Sequence, residues 1–143
     1  MTGASPTAHD FFESQPADLP APSVYFLRQI LHDWANEWSI KILKQLRAHA
    51  GPHTRLIVSD NVINYACRIP SENPALASIP GAVPTPAPEP LLANFGRGAA
   101  RAYLLDYMMM VMHNAQERTV GEFLKLGQES GWRLRQGTVR WLV

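Results

Sequence analysis

The sequence predicts an α/β fold: the second half of a doubly wound parallel sheet, closed by an antiparallel terminal hairpin. Two short β-branched and aromatic runs, residues 23–29 (SVYFLRQ) and 54–63 (TRLIVSDNVI), flank a segment of helical periodicity at 36–50. That order is a βαβ unit, whose strands are parallel because the helix carries the chain back across the sheet. Two more helical segments and two strand-like runs around Gln136-Gly137 complete the pattern.

Each element has a local reason. Residues 1–8 are small and polar and are expected to be disordered. His9-Asp10-Phe11-Phe12 opens structured sequence, and Pro16, Pro20 and Pro22 keep the following stretch extended. Residues 23–29 read as a buried strand, with His32-Asp33-Trp34 directly after it. Asn36 is a plausible N-cap for a helix that places Trp38, Ile42, Leu43 and Leu46 on one face, and Gly51-Pro52 stops it. The second strand carries Leu56-Ile57-Val58 and ends at Ser59-Asp60. Residues 69–90 hold seven of the twelve prolines and read as a surface loop or semi-rigid spacer. Residues 92–113 are helix-like. Thr119-Val120-Gly121-Glu122 matches a capping box that opens a helix ending at Gly131. Residues 132–135 and 138–143 are the two expected arms of the hairpin.

Composition narrows the function classes. A chain of 143 residues, 46% apolar and 17% charged, is one globular domain. Its net charge of +1 argues against a basic nucleic-acid-binding surface. One cysteine, Cys67, excludes a disulfide scaffold. No stretch is long and apolar enough to span a bilayer, and the start lacks a signal-peptide pattern, so a cytoplasmic protein is expected. His9, His49, His53 and His113 lack metal-ligand spacing, and no metal site is expected. No Gly-rich phosphate or dinucleotide turn follows a strand.

His32 lies just past the carboxyl end of the first strand and Asp60 at that of the second, the edge where ligands bind in open α/β sheets. Glu117, in a loop before a helix, is within reach of the same edge. An imidazole whose one nitrogen is held by a carboxylate has a fixed tautomer and a more basic second nitrogen, suited to taking a proton from a hydroxyl. By spacing alone the plainer alternative is favoured: His32 caps a helix, Asp60 ends a strand, and Glu117 pairs with Arg118 in solvent. Met108 to Met112 read as core or as an adaptable pocket for a flat ligand. Asp10-Phe11 is an ordinary turn, or an acid and ring able to hold a purine. Arg28, inside a strand, needs a carboxylate or an anionic ligand.

Taken in order, Asp10-Phe11-Phe12-Glu13, Leu31-His32-Asp33-Trp34, Leu56-Ile57-Val58-Ser59-Asp60 and Glu117-Arg118-Thr119 with Glu122-Phe123 resemble the small-molecule O-methyltransferases. These are the S-adenosylmethionine-dependent enzymes related to plant caffeic acid and flavonoid O-methyltransferases, with many fungal secondary-metabolite relatives. The resemblance runs from about residue 9 to about residue 131. It implies the C-terminal half of a Rossmann-like class I methyltransferase sheet, with residues 9–143 as a partial catalytic domain. It implies S-adenosyl-L-methionine as cofactor and a small aromatic hydroxyl, usually a phenol, as methyl acceptor, with neither nucleic acid nor membrane as partner. His32 would be the general base, flanked by Asp60 and Glu117. Asp10 and Phe11 would contact the adenosine, Arg28 would stand in the place of a cofactor-contacting lysine, and Met110 and Asn114 match substrate-pocket positions. Asp60 stands where plant relatives usually carry glutamate. Family members are longer, with an N-terminal dimerisation domain and the first strands of the sheet, which this sequence does not contain. Two readings follow: a carboxyl-terminal piece of an O-methyltransferase, or a non-catalytic remnant that binds a partner through its exposed sheet edge.

Overall fold

The computed structural model describes residues 7–68 and 74–137. Strand β1 (Val24–Arg28) leads into a 3₁₀ turn at Leu31–Asp33, then helix α1 (Asn36–His49) and strand β2 (Arg55–Ser59). The two strands pair in parallel, Val24 opposite Arg55 through Arg28 opposite Ser59, so the βαβ unit forms as the pattern requires. A helical turn, α2 (Pro74–Ala77), is followed by α3 (Ala100–His113) and α4 (Val120–Ser130).

The core lies on one face of this sheet. Leu31, Leu43 and Leu126 form its centre, with Leu27, Leu56, Val58, Phe123 and Trp132 packed around them. Alternation along the strands explains the choice: Tyr25, Leu27, Leu56 and Val58 face inward, and their neighbours face outward. Each fully buried leucine contributes ~1.5–3 kcal/mol. The opposite face is open. Val24 is 46% exposed and Phe26 60%, so β1 is half-buried, not the buried strand expected, and Ile57 of β2 is exposed on the same face.

Helix α4 begins with the expected capping box. The Thr119 side chain accepts from the Glu122 backbone N–H, and the Glu122 carboxylate accepts from the Thr119 N–H at 2.8 Å. Gly131 ends the helix at φ +79°, the left-handed region that glycine enters without steric cost. Helix α1 departs from its expected cap. Ala35 occupies the N-cap without a side-chain bond, and the Asn36 carboxamide accepts from Arg118 instead. Helix α3 starts eight residues later than position 92, at Ala100. Asn94 Oδ1 accepts from the Gly96 N–H, and Phe95 and Gly96 both take positive φ, which a continuous helix excludes.

The described part of the proline-rich stretch is largely irregular, yet it is anchored. Ala82 and Ala87 are fully buried, and Arg68 donates to the Ala87 carbonyl at 2.7 Å. The expected terminal hairpin is not observed. Residues 132–135 form no strand, and residues 138–143 lie outside the described residues, as do residues 1–6 at the other end. At the two ends of the described segment, neighbouring elements take the polar groups of Trp132 and Gly137. Trp132 donates from its backbone to Gly127 O at 2.8 Å and from its indole to Leu43 O at 3.0 Å, and Gly137 donates to Pro80 O.

Candidate active site

Parallel pairing puts the carboxyl ends of β1 and β2 side by side, and the chemistry-bearing residues gather there. His32 sits in the 3₁₀ turn after β1, and Asp60 directly follows β2. Glu117 arrives from the loop between α3 and α4. This loop runs beside the chain that leaves β2: Val62 and Arg118 form a parallel bridge, and the Ile63 N–H donates to Arg118 O at 3.1 Å.

His32 and Glu117 meet in the interior. Nδ1 of His32 lies 2.9 Å from Glu117 Oε1, with the residues 9% and 2% exposed. The carboxylate accepts only, so this contact places a proton on Nδ1 and leaves Nε2 as the basic nitrogen. Asn61 Nδ2 donates to the same Oε1 at 3.0 Å, and Asp106 Oδ1 accepts from the Glu117 backbone N–H at 2.8 Å. Nε2 stands 3.5 Å from Asp33 Oδ1.

Asp60 acts on the backbone. Its Oδ1 accepts from the Ile30 N–H at 3.2 Å, which steadies the chain just before the His32 turn. Burial pushes its carboxyl above the usual range, and repulsion from Glu117 adds to this; attraction to His32 and the N–H groups of Ile30 and Gln29 oppose it. Asp60 Oδ2 and Glu117 Oε2 are buried without a hydrogen-bond partner among the described residues. A cleft of about 260 Å³ opens beside Glu117, lined by Tyr65, Tyr103, Asp106, Glu117 and Glu122 among others. Tyr103 bridges its wall, donating to Asn64 O and accepting from Asn94 Nδ2.

The other expected site residues lie further out. Asp10 is exposed, and its Oδ1 accepts from the Phe12 N–H at 2.9 Å. Phe11 is half-buried, edge-on to Phe12 at 4.9 Å and to Trp34 at 6.0 Å. Trp34 ties that aromatic cluster to the His32 turn, two residues away in the chain. Arg28 is exposed at the end of β1, where solvent can satisfy its charge, so the expected need for a carboxylate or an anionic ligand does not arise from burial. Met110 is 55% exposed on α3, whereas its neighbour Met109 is the buried member of the run. Asn114 is exposed and caps α3 in the left-handed conformation. Four contributors escaped sequence reasoning: Asn61, Asp106, Asp33 and Arg118. Asp33 and Arg118 lay within the motifs already singled out; the positions of Asn61 and Asp106 carried no comparable signal. Among the described residues, no group of three or more His, Cys, Asp or Glu gathers as metal ligands, and no helix is long and apolar enough to cross a membrane.

Comparison with known proteins points one way. Residues 3–79 match the family model of the O-methyltransferase domain. An O-methyltransferase of Armillaria gallica is 45% identical over 130 residues, covering 90% of this chain and 26% of that protein. The 4-O-methyltransferase 1 of Phanerochaete chrysosporium is 45% identical over 126 residues, covering 88% and 26%. Among solved structures, CalO1, a methyltransferase in calicheamicin biosynthesis bound to S-adenosylhomocysteine, superposes with a TM-score of 0.55 at 26% identity, covering 90% of this chain and 28% of that one. The chain thus spans about a quarter of the length of the curated relatives it matches.

Proposed function

The chain belongs to the S-adenosylmethionine-dependent O-methyltransferase family, with the α/β class I methyltransferase fold, and from that premise we propose that it is the C-terminal part of a catalytic domain that methylates a hydroxyl of a small aromatic molecule. The observation that carries this reading is the His32–Glu117 pair, 2.9 Å apart at the carboxyl edge of the sheet.

His32 is the general base in this reading. Phenols have a pKa of about 10, so a neutral acceptor needs help to lose its proton near pH 7, and a positioned base contributes about 10²–10⁴ in rate. Glu117 holds the Nδ1 proton and offsets the positive charge that forms when Nε2 takes the acceptor's proton. Asp60 keeps the approach to the turn in place through Ile30. When bound, S-adenosylmethionine supplies an electrophilic sulfonium methyl group. The residues present suit it: an exposed carboxylate at Asp10 for the adenosine's donors, the Phe11 ring for its base, and the Arg28 cation for its amino-acid carboxylate. Met110 and Asn114 are assigned to the acceptor side. Residues 9–143 form one partial domain in this reading, with homodimerisation left to a part of the longer family members. It places the protein in the cytoplasm, with no nucleic-acid or membrane partner.

The second reading, a non-catalytic module that pairs through its exposed sheet edge, is favoured by one observation: among the described residues β1 pairs with β2 alone, which leaves its other edge without a strand. A chimera separates the two. This chain replaces the matching C-terminal segment of the Phanerochaete 4-O-methyltransferase, and methyl transfer from labelled S-adenosylmethionine to a phenol panel is measured. Transfer that falls about 10²-fold or more in His32→Ala is expected. Transfer indifferent to that substitution overturns the general-base role. A chimera that binds S-adenosylhomocysteine without transfer supports the non-catalytic module. The 143-residue chain alone is expected to give no measurable transfer.

A further inference from the structure

We propose that Arg118 is the positioning residue of His32, gripping the backbone of the turn that carries the imidazole while the adjacent Glu117 grips the ring. The inference rests on the reading of His32 as the base.

Residues 117 and 118 sit in extended chain bridged to Val62, and successive side chains of extended chain point to opposite sides. One side chain therefore reaches the His32 ring and the other passes beneath its turn. Arg118 is 1% exposed. Its Nη1 donates to Leu31 O at 2.5 Å and its Nη2 to Trp34 O at 2.7 Å, the carbonyls that bracket His32 and Asp33. Asn36 Oδ1 accepts from Nε at 3.1 Å and from Nη2 at 3.0 Å, and Ser39 Oγ accepts from Nη2 at 3.2 Å. The planar guanidinium fork thus ties both ends of the turn to the first residues of α1.

The turn has little of its own to hold it. Its backbone bonds, Asp33 N–H to Ile30 O and Trp34 N–H to Leu31 O, are 3.2 and 3.3 Å long, and 3₁₀ geometry is intrinsically poor. A buried cation is costly, and apolar packing would fill the same space at lower cost. What only the guanidinium supplies is directional donors to two carbonyls at a fixed spacing. No carboxylate hydrogen-bonds to it among the described residues; its partners are carbonyl and hydroxyl dipoles of the segment it holds.

The test follows the His32 ring by NMR in the ¹⁵N-histidine-labelled 143-residue chain. In the parent chain the ring is expected as a single Nδ1–H tautomer with slow proton exchange. Arg118→Lys keeps the charge and loses the fork. It is expected to mix the tautomers and to speed ring N–H exchange about tenfold or more, the scale of losing a charge-assisted hydrogen bond. Asn36→Ala, at an exposed position, removes two of the guanidinium's bonds and is expected to give a smaller acceleration of the same sign. If Arg118→Lys does not fold, Asn36→Ala decides alone. Folded variants with an unchanged His32 ring and only a lowered melting temperature would overturn the proposal and leave Arg118 a structural residue. Persistence of transfer in the His32→Ala chimera would instead sink the general-base reading, whatever the ring does.

Discussion

Nδ1 of His32 and Oε1 of Glu117 lie 2.9 Å apart in the interior although 85 positions separate them in the chain. The contact sets which ring nitrogen carries the proton, and therefore which one faces the acceptor in the proposed reaction. The variant Glu117→Gln keeps an acceptor for Nδ1–H and removes the charge. Methyl transfer by the chimera is expected to fall about 10²-fold in kcat, within the range that general-base catalysis contributes. Stopped-time assays at saturating cofactor would measure this, and a kcat equal to the parent's would remove Glu117 from the mechanism.

Asp60 makes stability depend on pH in a definite direction. Its folded-state carboxyl is raised above 3.8, chiefly by burial, so between that value and its folded value the native state holds more protons than the unfolded one. Stability contributed by this group is present below 3.8 and is lost as pH rises through the folded value. Asp60→Asn lacks the titration. The stability of the variant relative to the parent should therefore increase as pH rises from below 3.8 toward neutrality, read as urea midpoints along a pH series. A difference that stays flat across the series contradicts this assignment.

Thr119→Ala dismantles the capping box at the start of α4. It removes the acceptor for the Glu122 N–H and the hydroxyl donor to the Glu122 carboxylate. The expected cost is ~1 kcal/mol, measured by denaturant unfolding. The same substitution lies two residues from Glu117, so the His32 ring signals should be compared in the two proteins; they are expected to agree, because Glu117 is held separately by Asn61 and Asp106.

Gly131→Ala places a side chain at φ +79°, where an L-residue is strained, and its Cβ would stand 3.5 Å from Arg47 Cγ. The contact is ordinary and the backbone is not, so the cost comes from conformation: about 1–2 kcal/mol. A thermal melt that shows no loss would mean that the α4 terminus can shift to a right-handed end.

Much of the architecture was legible because it rests on local chemistry. Trp38, Ile42, Leu43 and Leu46 recur at helical spacing and form α1 between two strands that then have to be parallel. Thr119 and Glu122 stand at the spacing a capping box needs, and the box is there. Parallel strands also bring His32 and Asp60 to one edge without further information. Its loop position made Glu117 a candidate for that edge, and only family resemblance favoured it over the solvated alternative, since nothing in its neighbours says where a closure over 85 residues will end.

What stayed hidden were side chains whose fate depends on distant partners. Spacing alone favoured Glu117 and Arg118 as a solvated pair. Both are buried, Glu117 against the His32 ring and Arg118 against the backbone at both ends of its turn. Asn36 looked like a helix cap because its local options include one, but a buried guanidinium takes its carboxamide. The helix expected from residue 92 is interrupted by left-handed Phe95 and Gly96, and in the segment expected as a strand after Gly131, Trp132 bonds to α1 and α4 and Gly137 to the proline-rich loop. By itself, then, the sequence determined the elements, their order and the edge at which the chemistry gathers, because periodicity, capping and strand direction act over a few residues. Only the tertiary structure decided which charges enter the interior and which backbone groups they satisfy, because the cost of burying a charge is met by partners that the fold alone brings within hydrogen-bond distance.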